Sequence, residues 1–198
     1  IMHLKTSFKN HYNCTRKHVF LQEIFLSKLK SVKIKKERIL KGNDKMDLKE
    51  KKLTSTSIYK GKIIDVYKDT VLLPNGKTST RELIRHCKAS CILAFLDNGN
   101  VLMERQYRYP YDEVIYEFPA GKVDKGEDPI DAAKRELEEE TGYLAKQIEC
   151  IGLMYPSCAY TDEIIYLYVA HDLVKTKQHL DENENVEVLE MSLQEVFQ

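Results

Sequence analysis

The sequence predicts a mixed fold, α+β or α/β in class, with helices packed on a mixed sheet. Three observations predict it. Strand-length runs rich in Ile, Val, Tyr and Leu recur from Ser57 to Met191. Two pairs of these runs are joined by turn sequences, Pro74-Asn75-Gly76-Lys77 and Asp97-Asn98-Gly99-Asn100. One segment between the strands, 128–142, carries both a helix start and a helix stop.

Taken in order, Met46–Lys52 is charged and expected to fray. Ser57–Tyr59 and Ile63–Leu73 read as strands, and Thr78–Arg85 returns beyond the first turn as their partner. This small antiparallel sheet is too slight to be stable alone. Ala89–Leu96 is an apolar strand, and Val101–Arg108 pairs back onto it through the second turn. Tyr116–Pro119 leads to the helix, where Asp128 suits the N-cap, Pro129 the first helical position and Gly142 the left-handed stop. Ile130, Ala133 and Leu137 are spaced to face a core. Gln147–Tyr155 and Ile164–Ala170 are strands. The acidic loop Asp181-Glu182-Asn183-Glu184-Asn185 precedes a last strand, Val186–Met191, and Ser192 opens a helix of about one turn.

The 198 residues carry 31 basic and 31 acidic side chains, unevenly placed. Residues 1–45 hold 12 Lys+Arg against 3 Asp+Glu, and the remainder holds 19 against 28. Such a split marks a basic tail and an acidic body. Two readings of the tail stand side by side. Phe20, Leu21, Ile24, Phe25 and Leu29 recur at helical spacing among lysines, as in a helix lying on a membrane or partner surface. Alternatively, residues 1–45 are disordered or non-native translated upstream sequence, with Met46 the natural start. The domain expectation is then residues 46–88 as an N-terminal sheet region and 89–198 as the main domain, with its last helix cut short.

The five cysteines form no Cys-x-x-Cys pair, so reduced thiols in a cytoplasmic protein are expected. Cys158 is expected to be a buried thiol rather than a nucleophile, since no His lies close in sequence. No apolar run approaches the roughly 20 residues needed to span a bilayer. Neither a membrane nor a nucleic acid is an expected partner.

The chemistry lies between Glu117 and Tyr143. Glu136, Glu139 and Glu140 fall three and four residues apart, so their carboxylates leave one helix face. Like charges at that spacing repel, and a divalent cation with hard oxygen preferences turns the repulsion into a site. Alone, the run reads as a solvated acidic face. Here it is joined to a glycine-bearing loop and to Arg135 beside the first carboxylate.

Gly121, Glu127, Arg135, Glu136, Leu137, Glu139, Glu140 and Gly142 match the box of the Nudix hydrolases, which this segment resembles residue for residue. The resemblance implies an α/β/α sandwich with a small N-terminal antiparallel β-sheet and hydrolysis of a nucleoside diphosphate linked to another group. Mg2+, or Mn2+ in its place, would be held by Glu136, Glu139, Glu140 and the carbonyl of Ala120. Glu127 and Arg135 would hold the loop and orient a carboxylate.

Beyond the box, 58–191 resembles the ADP-ribose pyrophosphatase subfamily, which implies cleavage of ADP-ribose to AMP and ribose 5-phosphate by a homodimer that exchanges its N-terminal sheets. By the same resemblance Arg108 meets the substrate diphosphate, and Arg81 and Glu82 reach it from the dimer partner. Glu163 belongs to an acidic pair after Tyr160 that joins the substrate site. Glu182 and Glu184 are the candidates for general base and extra metal ligand. One departure keeps the substrate open: Ser157-Cys158-Ala159 has Cys158 where the subfamily carries proline. The competing expectations are another nucleotide-sugar or dinucleotide as substrate, or a non-catalytic ADP-ribose-binding module.

Overall fold

A computed structural model describes residues 47–198. The expectations for residues 1–45 therefore lie outside the described residues. The fold begins with three antiparallel strands in the order β1-β2-β3: β1 (Lys51–Lys60), β2 (Ile64–Leu72) and β3 (Thr78–His86). Strand β1 starts six residues before the expected Ser57 and takes in part of the stretch expected to fray. Its first half is polar and carries little propensity signal, so pairing defines it, from Lys51 opposite Leu72 onward. Every residue of β1 is exposed, including Leu53, Ile58 and Tyr59. The turn into β3 closes as its residues dictate, with Leu73 N–H donating to Lys77 O and Gly76 at φ 80°.

The main body contains a mixed four-stranded sheet in the order β7-β4-β9-β8: β4 (Ala89–Ala94), β7 (Ala120–Lys122), β8 (Tyr143–Met154) and β9 (Ile165–Lys175). Only the β4–β9 pair is parallel. A three-stranded antiparallel sheet, β10-β5-β6, is built from β5 (Val101–Arg108), β6 (Glu113–Glu117) and β10 (Val186–Met191). Strands β8 and β9 both outrun their expected spans. They pair with each other from Tyr143–Lys175 to Met154–Ile165, which carries the sheet past the apolar segments visible in sequence.

Helix α1 (Pro129–Thr141) buries Ala132, Ala133 and Leu137 completely, the last two packed with Ile92, Ala94, Leu102 and Ala170 in the core. The expected core positions Ala133 and Leu137 are there, and Ile130 is partly buried beside them. Asp128 takes the extended N-cap conformation, but its side chain makes no capping hydrogen bond. Buried Ser90 on β4 ties down the helix entry instead, donating to Pro129 O at 2.7 Å. At the other end Gly142 is left-handed at φ 71° and donates to Glu138 O. The final helix α2 (Leu193–Val196) is a single turn opened by a Ser192–Glu195 capping box. Among the described residues, no helix is long and apolar enough to cross a membrane.

The structure corrects one expectation about a thiol. Cys158 is exposed, not buried. It lies in the turn between β8 and β9, where Tyr160 N–H and Thr161 N–H both bond back to Ser157 O. That closure leaves the middle of the turn facing solvent.

Candidate active site

Helix α1, strand β7 and the end of β5 bring the candidate groups together. Glu136, Glu139 and Glu140 leave α1 toward the loop that carries Gly121. Glu140 is buried and accepts from Ala120 N–H at 3.1 Å, which joins the helix to β7. Gly121 is required by close approach: a Cβ there would lie 1.8 Å from the Glu136 carboxyl carbon. A side chain at 121 and the carboxylate at 136 compete for one space, which explains why the sequence pairs Gly121 with Glu136.

Arg135 organises the acidic groups. Its Nε and Nη2 donate to the two Glu127 oxygens at 2.9 and 3.0 Å, and Nη1 reaches Glu136 at 2.9 Å and Glu139 at 3.0 Å. Nη2 also donates to Lys122 O at 3.0 Å, pinning the loop. The planar fork of arginine suits this multiple role, which a lysine ammonium could not reproduce. The bond from Arg135 holds Glu127 below the usual carboxylate range.

The remaining carboxyls shift the other way. Burial raises Glu136, with Arg135 opposing it. Burial raises Glu140 most strongly, and the charges of Glu104, Glu136 and Glu184 add to it. Glu104 on β5 is the group that sequence reasoning missed. It is 5% exposed and lies within hydrogen-bonding reach of Glu140. Burial raises it, contact with Glu140 partly offsets this, and the charge of Glu117 raises it again. Cys91 on β4 lies beside this cluster. Burial and then the charge of Glu104 push its thiol up to about 11, so it stays protonated at neutral pH.

The other candidates divide. Arg108 faces the cluster but is engaged by Glu117, Nε to Oε1 at 2.6 Å and Nη2 to Oε2 at 2.8 Å. Glu184 lies close enough for its charge to act on Glu136 and Glu140, whereas Glu182 sits exposed on the same acidic turn. That turn is placed by the segment before it. Thr176 N–H, His179 N–H and the Gln178 side chain donate to the carbonyls of Gly142, Glu139 and Glu140, satisfying the open end of α1.

Arg81 on β3 pairs with Glu50 and donates to Thr80 O, and Glu82 is exposed on the same strand. Neither pairs with the α1 carboxylates. Glu163 lies 3.5 Å from His86 Nδ1, and its neighbour Asp162 accepts from Arg85 at 2.6 Å and from His86 N–H at 3.0 Å. The loop after β8 is thereby fastened to β3.

The donor set is made of oxygens, which fits a hard divalent cation. Glu104 Oε1, buried with no hydrogen-bond partner among the described residues, is a further oxygen that such a cation would satisfy. Among the described residues no three acidic, His or Cys side chains already converge at ligand spacing. Arg135 draws Glu136 and Glu139 to itself, and Ala120 N–H holds Glu140.

Known proteins resemble the chain over residues 50–198. A NUDIX domain matches residues 85–198, and a nucleoside diphosphate sugar hydrolase N-terminal domain matches residues 50–84. An ADP-ribose pyrophosphatase of Bacillus subtilis (strain 168) is 45% identical over 152 residues, covering 76% of this chain and 82% of that protein. A methanol dehydrogenase activator of Bacillus methanolicus is 44% identical over 151 residues, with 75% and 82% covered. The solved structure of an ADP compounds hydrolase shares the fold, with a TM-score of 0.69 at 22% identity over 78% of this chain and 84% of that one. With the box side chains assembled around Arg135, and a NUDIX domain spanning more than half of its residues, the chain belongs to the Nudix hydrolase family.

Proposed function

We propose that the chain hydrolyses the pyrophosphate bond of ADP-ribose, giving AMP and ribose 5-phosphate, with Mg2+ as its metal and Mn2+ as a substitute. The observation that carries this reading is the proximity of Glu136 and Glu184 to Glu140, and of Glu140 to Arg108, in a chain 45% identical to an ADP-ribose pyrophosphatase. Glu136, Glu139, Glu140 and the carbonyl of Ala120 would hold the metal, with Glu184 completing the set from the acidic turn. When bound, the metal supplies charge neutralisation for the diphosphate and lowers the pKa of water.

The chain's own residues do the rest. Arg135 and Glu127 hold the loop and orient Glu136. Arg108 offers a planar fork to the diphosphate once it leaves Glu117, an exchange of one bidentate anion for another. Glu163, fastened near β3, faces the rest of the substrate, and Glu182 or Glu184 takes the proton from the attacking water. The reaction is hydrolytic, so one water is consumed and the P–O–P bridge is the bond that breaks.

The homodimer belongs to the same reading. An edge strand with Leu53, Ile58 and Tyr59 exposed along it supports pairing with a second copy, which would bring Arg81 and Glu82 toward the partner's site. Such an enzyme would work in the cytoplasm, with residues 46–88 forming the exchanged region and 89–198 the catalytic domain. Exposed Cys158 at the position of the marker proline supports a second reading, the same chemistry on another nucleoside diphosphate compound.

Glu140→Gln tests the chemistry. It removes one charge and keeps the side-chain oxygen that accepts from Ala120 N–H. Turnover is expected to fall at least about 100-fold, as loss of metal charge stabilisation predicts, while the fold is retained. Turnover near that of the wild type would refute the assignment.

A further inference from the structure

Glu104 lies outside the box and comes from a different sheet. Strand β5 pairs it with Glu117 on one side and Val188 on the other, and Val101, Leu102 and Met103 before it are all buried. An acid where such a strand turns from apolar to polar is expected to face solvent, yet this one, fourth of eight residues, is 5% exposed. Its Oε1 is buried with no hydrogen-bond partner among the described residues, and its carboxyl lies within hydrogen-bonding reach of Glu140.

The arginines nearby are already engaged. Arg108 forms its bidentate pair with Glu117, and Arg135 is shared among Glu127, Glu136 and Glu139. Two buried carboxyls in contact, neither ion-paired to a basic side chain among the described residues, form an arrangement that burial penalises strongly. A cation between them removes both the repulsion and the orphaned oxygen.

We propose that Glu104 is a further carboxylate of the metal centre, holding the divalent cation together with Glu140. This role presupposes the divalent-cation reading of the box carboxylates. It also joins the metal to the diphosphate-binding strand, because Glu104 and Arg108 lie four residues apart on one face of β5. The cation and the substrate phosphates would therefore be set in register by a single strand.

The test is a titration of the full chain, stripped of metal by a chelator, with Mn2+, following free Mn2+ by electron paramagnetic resonance and melting temperature in parallel. Wild type is expected to bind, and Glu104→Gln to bind roughly 10- to 100-fold more weakly. Metal-free Glu104→Gln is expected to melt no lower than wild type, because its amide can donate to Glu140. Its turnover should recover partly at high Mn2+, which a purely structural defect would not allow. Glu104→Met, similar in volume and uncharged, is the second variant and should show the same weakened binding. Unchanged Mn2+ affinity in either folded variant overturns the proposal and leaves Glu104 sharing a proton with Glu140. If both variants melt lower without metal and bind Mn2+ as wild type does, Glu104 is a packing residue. No Mn2+ binding by wild type would sink the divalent-cation reading itself, and this role with it.

Discussion

Replacing Gly121 with alanine isolates the contact that builds the site. The added Cβ would lie 1.8 Å from the Glu136 carboxyl carbon, where ordinary contact begins near 3.4 Å. Gly121 is in a strand at a φ that alanine accepts, so the backbone has no reason to move. The carboxylate moves instead, and its 2.9 Å bond to Arg135 is lost. A hydrogen bond to a charged partner contributes about 1.5–3 kcal/mol. Arg135 is 31% exposed and Glu136 12%, so screening reduces this to about 1–2 kcal/mol. In a chain of this size that is a fall of about 2–8 °C in melting temperature. A displaced Glu136 should also weaken Mn2+ binding by roughly 10-fold or more. The decisive assay is a double-mutant cycle, read by thermal melts in chelator. Once Glu136→Ala has emptied the space, Gly121→Ala should cost nothing and even gain about 0.5–1 kcal/mol from reduced backbone freedom. Equal cost in both backgrounds would refute the steric account.

Three further outcomes follow from the same geometry. Glu104, Glu136 and Glu140 all lie above the ordinary 4.5, burial first among the causes, so the folded chain keeps protons that the unfolded chain releases. The stability they contribute is complete below about pH 4.5 and is lost as pH rises through the folded values, so metal-free melting temperature should fall between about pH 5 and 9. Glu127, lowered by Arg135, acts at the acid end in the opposite sense. Saturating Mg2+ should raise the melting temperature and flatten the decline, whereas a flat metal-free profile would contradict the buried cluster. Asp162→Ala releases the 155–163 loop from Arg85 and His86; the pair is exposed, so the cost is about 0.5–1 kcal/mol, visible as faster amide exchange in that loop. Unchanged exchange would show that the backbone bonds Ile84 N–H to Tyr160 O and Asp162 N–H to Ile84 O suffice. Of Glu182→Gln and Glu184→Gln, the second should lower Mn2+ affinity as well as turnover, because the charge of Glu184 acts on Glu136 and Glu140.

The box was legible because its signals are local. Pro129 and Gly142 bound a helix whose register places three carboxylates by arithmetic, and both tight turns announce themselves in Asn75-Gly76 and Asn98-Gly99. The expected pairing of Val101–Arg108 with Ala89–Leu96 through the second turn is corrected: beyond a Phe95–Val101 bridge the chain passes into another sheet, where β5 pairs with β6 and β10 while β9 and β7 flank β4. What escaped is long-range. Glu104 looks like the first polar residue of a strand that turns to solvent until Glu140 is found against it. Strand β7 is three residues, Ala-Gly-Lys, with no strand propensity, and exists because Ala89–Cys91 pairs with it. The acidic turn is positioned by Thr176, Gln178 and His179 capping a helix that ends some 35 residues earlier, a relation with no sequence period. The acid at 104 did leave one trace: a charge following three buried apolar residues on a central strand.

The hydrolytic activity is tested by AMP release from ADP-ribose by the full chain in Mg2+, run beside ADP-glucose and a dinucleotide and repeated in chelator. Release is expected from ADP-ribose in preference to the other two, and is expected to be abolished by chelator. Release from ADP-glucose or the dinucleotide alone would keep the box and contradict the substrate. A folded chain that released AMP from none of the three would contradict the hydrolytic account itself.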